Sequence, residues 1–67
     1  MNLGKAIKIA LASKGMKQKE LAESLGVSHR YISKICNQSD VGMESMKKIA
    51  SVLDMKVSEL VALGEGE

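Results

Sequence analysis

The 67 residues include no proline, tryptophan or phenylalanine, and only one tyrosine, one cysteine and one histidine. A single thiol excludes an internal disulfide framework, and one Cys with one His cannot make a Cys/His metal cluster. No metal and no other cofactor is therefore expected. Long apolar runs are missing too. Leu3, Ile7, Ile9 and Leu11 are interrupted by Lys5 and Lys8, which breaks up both a signal-peptide core and a membrane span. The expectation is a reducing, cytoplasmic setting without a membrane partner. A chain this short buries too little surface to build a deep pocket. It offers no nucleophile–base pair either, and Glu20 and Glu23 suggest no catalytic dyad. Catalytic residues, an enzymatic function and a small-molecule substrate are accordingly not expected.

What the chain does contain is Ala, Leu, Ile, Met and Lys, residues that favour helices over strands. The fold class expected is all-α. The formal charge of +2 hides a split. Residues 1–38 hold six Lys and one Arg against two Glu, a balance of 7 − 2 = +5, whereas residues 39–67 hold three Lys against six acids, 3 − 6 = −3. Cationic surface lies in the first half, as a polyanion partner would require, although a solvated lysine face would look similar.

Apolar residues at helical spacing predict five helices. The first runs from about Leu3 to Lys14, stopped by Gly15, and the second from Lys17 to Leu25, stopped by Gly26 in a conformation of positive φ. Ser28 can cap a third helix reaching about Asn37. After the polar QSDVG segment (38–42), Met46, Ile49, Ala50 and Leu53 mark a fourth helix. Val57 to Leu63 makes the fifth, ended by Gly64. The final Glu-Gly-Glu should fray, and the five Met residues read as core fillers.

The third helix carries the chemistry. At about 100° per residue, His29, Arg30, Ser33, Lys34 and Asn37 fall on one arc, while Tyr31, Ile32, Ile35 and Cys36 fill the other. An ordinary surface helix mixes charge signs on its polar face. This one has no acid, only groups that donate or can become donors, which suits phosphate oxygens and the acceptor edge of guanine.

Residues 18–37, QKELAESLGVSHRYISKICN, resemble the helix-turn-helix of the Cro and phage-repressor (XRE) family. Ala22 stands where that family needs a small residue, Gly26 where it turns, Val27 where it plugs the core, and Ile32 and Ile35 where the recognition helix is anchored. MESMKKIASVLDMKVSEL resembles the family's fourth and fifth helices, so the likeness covers nearly the whole chain. It implies a five-helix lambda-repressor-like domain over residues 1–67, with the helix-turn-helix at about 18–37. It further implies that Ser28, His29, Arg30 and Lys34 face the bases. Gln18 and Asn37 would meet the sugar-phosphate backbone; Ser33 on the polar arc and Lys17 are the other backbone candidates read from the residues themselves, Lys17 being equally well explained as an ordinary solvated lysine. Arg30 is the leading candidate for base readout, since its fork can span O6 and N7 of one guanine.

The sequence departs from the family in places. An Arg on the first helix paired with a Glu at the end of the third is frequent there; the matching positions here are Leu11 and Cys36, so an apolar contact should replace the ion pair. Cys36 then reads as packing rather than as a redox sensor. Lys17 and Lys56 stand where relatives often put a capping Ser, Thr or Asn. Tyr31 reads as packing with its hydroxyl near solvent. The function implied is a sequence-specific, double-stranded DNA-binding regulator, Cro-like or repressor-like, occupying a palindromic operator as a weak or moderate homodimer. Val57, Val61 and Leu63 are leftover apolar residues for that dimer. The competing reading is a protein-binding module or antitoxin component on the same fold, which would carry apolar anchors at the centre of the third helix.

Overall fold

The structure, a computed structural model, describes residues 2–65. Five helices follow in order: α1 Leu3–Lys14, α2 Gln18–Leu25, α3 His29–Cys36, α4 Met43–Val52 and α5 Val57–Ala62. There is no strand among the described residues. The expected all-α, five-helix architecture is thus observed, with boundaries within a few residues of the sequence reading. The expected fraying of Gly66 and Glu67 and the packing of Met1 lie outside the described residues.

Each helix end has an identifiable cause. Asn2 Oδ1 accepts the Lys5 N–H at 2.9 Å and starts α1, and Ser28 Oγ accepts the Tyr31 N–H at 3.1 Å and starts α3. Lys17 and Lys56 supply no capping acceptor, as their side chains dictate. Half of a capping box survives at each. Glu20 accepts the Lys17 N–H at 3.0 Å and Glu59 the Lys56 N–H at 2.9 Å, so one amide at each start is satisfied from inside the helix. At the other end of α2, Gly26 takes φ 71°. This lets the Val27 N–H reach back to Ala22 O at 3.0 Å and closes the helix. The same closure ends α4, where the Met55 N–H meets Ala50 O at 3.0 Å. Here, however, the left-handed residue is Asp54, at φ 54°.

The helices enclose one core built from α1 (Leu3, Ile7, Ala10, Leu11), α2 (Leu21, Ala22), α3 (Ile32, Ile35, Cys36), α4 (Met46, Ile49, Ala50) and α5 (Leu60), with Val41 and Leu53 from the connections. Among the described residues no polar or charged side chain is buried in it. Leu11 and Cys36 are both in this core, as expected from their departure from the family's ion pair. Burial pushes the Cys36 thiol up, and the nearby Lys8 ammonium opposes this only in part. A buried, protonated sulfur behaves as a small apolar side chain.

Two expectations need correcting. Val27 does not plug the core: it is 38% exposed, because the turn carries it to the rim where α2 meets α3. Nor are all the methionines core fillers. Met46 is fully buried and Met16 and Met55 pack against the core, but Met43, the first residue of α4, is 51% exposed. Val57, Val61 and Leu63 are partly buried against the core, so they are less spare than their sequence suggested.

The tightest seam is one that the hydrophobic pattern does not mark. The first turn of α1 lies against the chain leaving α3, where the Leu3 N–H donates to Ser39 O at 2.9 Å and the Gly4 N–H to Gln38 O at 3.0 Å. A Cβ on Gly4 would stand 2.0 Å from Gln38 O and 2.7 Å from Cys36 O. Only glycine permits this approach. Gly4→Ala should therefore cost about 2–4 kcal/mol, from overpacking together with weakened hydrogen bonds, and lower the thermal midpoint by roughly 10 °C or more in a calorimetric melt. The reverse holds at the end of α4. Asp54→Gly relieves a left-handed backbone strain, and chemical denaturation should register a gain of roughly 0.5–1 kcal/mol.

Candidate nucleic-acid interface

The helix-turn-helix places its parts by three contacts. α2 packs against α3, α1 packs against α3 from the other side, and α4 supports α2. Ile32, Ile35 and Cys36 bury one side of α3. That burial sets the rotation of the helix, and the rotation decides which residues remain outside. His29, Arg30 and Lys34 are exposed, Ser33 is half-buried beside them, and Asn37 is exposed just past the last turn. The helix adds no acid to this surface. Ser28 sits at its head, with its hydroxyl oxygen accepting the Tyr31 N–H.

Of the residues expected to meet a backbone, Lys17 and Gln18 lie together at the start of α2, and His29 faces them across a shallow groove. The groove also receives Lys8 and Lys19, and none of the side chains lining it is acidic. Lys8 was not singled out in the sequence because it belongs to α1. Nothing in the spacing of residues 18–37 indicates which lysine of a preceding helix lands beside them. Asn37 proves to be held within the protein: its Nδ2 donates to Ser33 O at 2.9 Å and its Oδ1 accepts from Lys8 Nζ at 3.1 Å. Arg30 and Lys34 stand clear of the groove on the face of α3, while Lys8, Lys17, Gln18, Lys19 and His29 line it together with the apolar Leu11, Ala12 and Met16.

Tyr31 lies on the flank of α3 at 41% exposure, and its hydroxyl shares a hydrogen bond of 3.1 Å with Ser45 Oγ of α4. It packs with its polar tip at the surface, as expected. Together with Val27, Leu25 and Ile49 it borders a small recess of about 170 Å³ between α2, α3 and α4. The exposed apolar atoms of the motif are therefore beside the polar arc of α3 and not at its centre. Among the described residues no three His, Cys, Asp or Glu side chains come together as a metal site. None of the described helices is long and apolar enough to cross a membrane.

Comparison with known proteins agrees with this geometry. A search of curated proteins finds no match. Among solved structures, one described as the crystal structure of the master regulator for biofilm formation SinR in complex with DNA is similar. It is 34% identical, superposes with a TM-score of 0.75, and the match covers 88% of this chain and 97% of that one. The helix-turn-helix family model HTH_3 matches residues 7–60, from Ile7 within α1 through the whole motif and α4 to Leu60 of α5. The chain belongs to the helix-turn-helix family of Cro and the phage repressors.

Proposed function

We propose that this protein is a DNA-binding transcription regulator that reads a palindromic operator in double-stranded DNA as a homodimer, acting as a Cro-like or repressor-like protein of the cytoplasm. The observation that carries the reading is the acid-free outer face of α3, standing beside a lysine-lined groove on a fold shared with a regulator solved on DNA. A helix of this kind fits the major groove, where base edges present mainly acceptors on guanine and both kinds of group on adenine. Arg30 and Lys34 project where base edges would lie, with Ser28 and His29 at the entering end of the helix. Lys17, Gln18 and Ser33 approach the phosphates.

Eight residues of α3 make few contacts, and a single copy would bind with little discrimination. A two-fold dimer solves this by reading half-sites about 34 Å apart, one helical turn along the same face of the duplex. The region of α5 and the loop before α4 is the proposed dimer surface, supported locally by the half-exposed Val57, Val61 and Leu63 and by the exposed Met43. The alternative role as a protein-binding module or antitoxin component places its contacts on the same face of α3. That role is the weaker reading because this face lacks an apolar anchor at its centre.

Selection of bound duplexes from a random library at near-physiological salt tests the reading. The expected result is an enriched inverted repeat with half-site centres about one turn apart. Recovery of unrelated sequences, with binding that vanishes as salt rises, would leave only nonspecific attraction. On the selected site, Arg30→Ala should relax base preference at one position of each half-site, a loss of about 1–3 kcal/mol of discrimination measurable by competition binding. Lys17→Ala should instead weaken binding to every duplex alike and reduce the slope of log affinity against log salt by about one unit.

A further inference from the structure

One cation from outside the helix-turn-helix is drawn into it. Lys8 lies on α1, ten residues before Gln18, yet its ammonium donates to Asn37 Oδ1 at 3.1 Å, just past the end of α3. The same side chain lines the groove that holds Lys17, Gln18, Lys19 and His29. Lys8 thus bridges the two ends of the motif, reaching the start of α2 on one side and the end of α3 on the other. Asn37 is itself tied down through Nδ2 to Ser33 O at 2.9 Å.

We propose that the groove seats a phosphate of the DNA backbone next to the one met by Lys17, with Lys8 as its cation and Asn37 as the residue that positions Lys8. The inference rests on the DNA-binding reading above and deepens it. An ammonium carries three donors. Asn37 takes one, which leaves two for phosphate oxygens, and the carboxamide holds in place a side chain whose freedom would otherwise have to be lost on binding. With no acid among the lining residues, nothing in the groove competes for that charge. Asn37, expected first to meet a phosphate directly, has one Nδ2 N–H already given to Ser33 O and gains an indirect role through its Oδ1, which holds the Lys8 ammonium. A free phosphate offers the same chemistry as a phosphodiester. The groove is open and shallow, however, so an isolated anion would be held from one side only. A duplex is held as well by the face of α3, and the DNA backbone is the source assigned here.

The test measures affinity for the selected duplex and for an unrelated one over a range of salt, with wild type, Lys8→Met, Lys8→Arg, Asn37→Ala and the Lys8→Met/Asn37→Ala pair. Lys47→Met, at an exposed position of α4 outside the groove, serves as a control, and thermal melting verifies that each variant is folded. Lys8→Met should flatten the slope of log affinity against log salt by about 0.9 and weaken both duplexes by the same factor, about fivefold at 0.15 M salt. Lys8→Arg should restore the slope. Asn37→Ala should lose affinity at an unchanged slope, and the double variant should bind no worse than Lys8→Met alone. An unchanged slope in folded Lys8→Met, beside a wild type that still responds steeply to salt, overturns the phosphate seat while leaving the DNA-binding reading intact. Additive losses in the double variant overturn the positioning role of Asn37. Millimolar inorganic phosphate that shifts the His29 and Lys8 NMR signals, with no effect of Lys8→Met on DNA, reassigns the groove to a free anion. Failure of wild type to bind any duplex removes the underlying reading and this inference with it.

Discussion

Everything about the candidate interface depends on how α3 is held, and the constraint is steric before it is electrostatic. At its far end the chain leaves α3 directly beneath the first turn of α1, where two amide–carbonyl hydrogen bonds join Leu3 to Ser39 and Gly4 to Gln38. These amides belong to the start of a helix, which has no internal partner for them, and the carbonyls belong to a turn that has none either. Each set satisfies the other. The approach is possible only because Gly4 has no Cβ, whose place would fall on Gln38 O. Together with Ile32 and Ile35 anchored in the core, this seam fixes both the axial position and the rotation of α3, so Arg30 and Lys34 project outward.

The near end of α3 is set by the turn that precedes it. Gly26 adopts a left-handed conformation that closes α2, and two residues later Ser28 caps α3. So short a connection leaves the angle between α2 and α3 little freedom. It also carries Val27 to the rim, where its side chain is 38% exposed and borders the recess beside Leu25 and Tyr31. Beyond the motif, Tyr31 and Ser45 tie the flank of α3 to α4 at the surface. α3 is thus braced by α1 and α2 and tied at the surface to α4 while its polar arc stays free, an arrangement suited to docking a preformed surface onto a rigid partner.

Much of this was legible in the residue order, and the particular failures show where the signal ends. Leu21, Ala22, Ile32, Ile35, Met46 and Ile49 announced themselves through helical periodicity, and all are buried. Gly15 and Gly26 were readable as stops because a glycine after an apolar face has a local meaning. Asp54 performs a related closure but was not, since an aspartate in a left-handed turn looks like any polar loop residue. Val41, in a segment that reads as polar and turn-rich, is buried, whereas Met43 two positions later is exposed. An isolated apolar residue in a connection carries no period from which its facing could be judged.

Local sequence determined that the chain is helical, where the first three helices begin and end to within a residue or so, and which side of α3 carries donors without acids. Capping, propensity and a 3.6-residue period act over a few neighbours, so a few neighbours suffice to read them. Tertiary structure alone decided which groups from different helices share a space. It set Lys8 against Asn37 across 29 positions, gathered four cations or potential cations into one groove, and gave Gly4 its indispensable place. Such pairings follow from how helices pack around a common core. No residue's immediate neighbours record that geometry, because it is fixed by the summed shapes of all five.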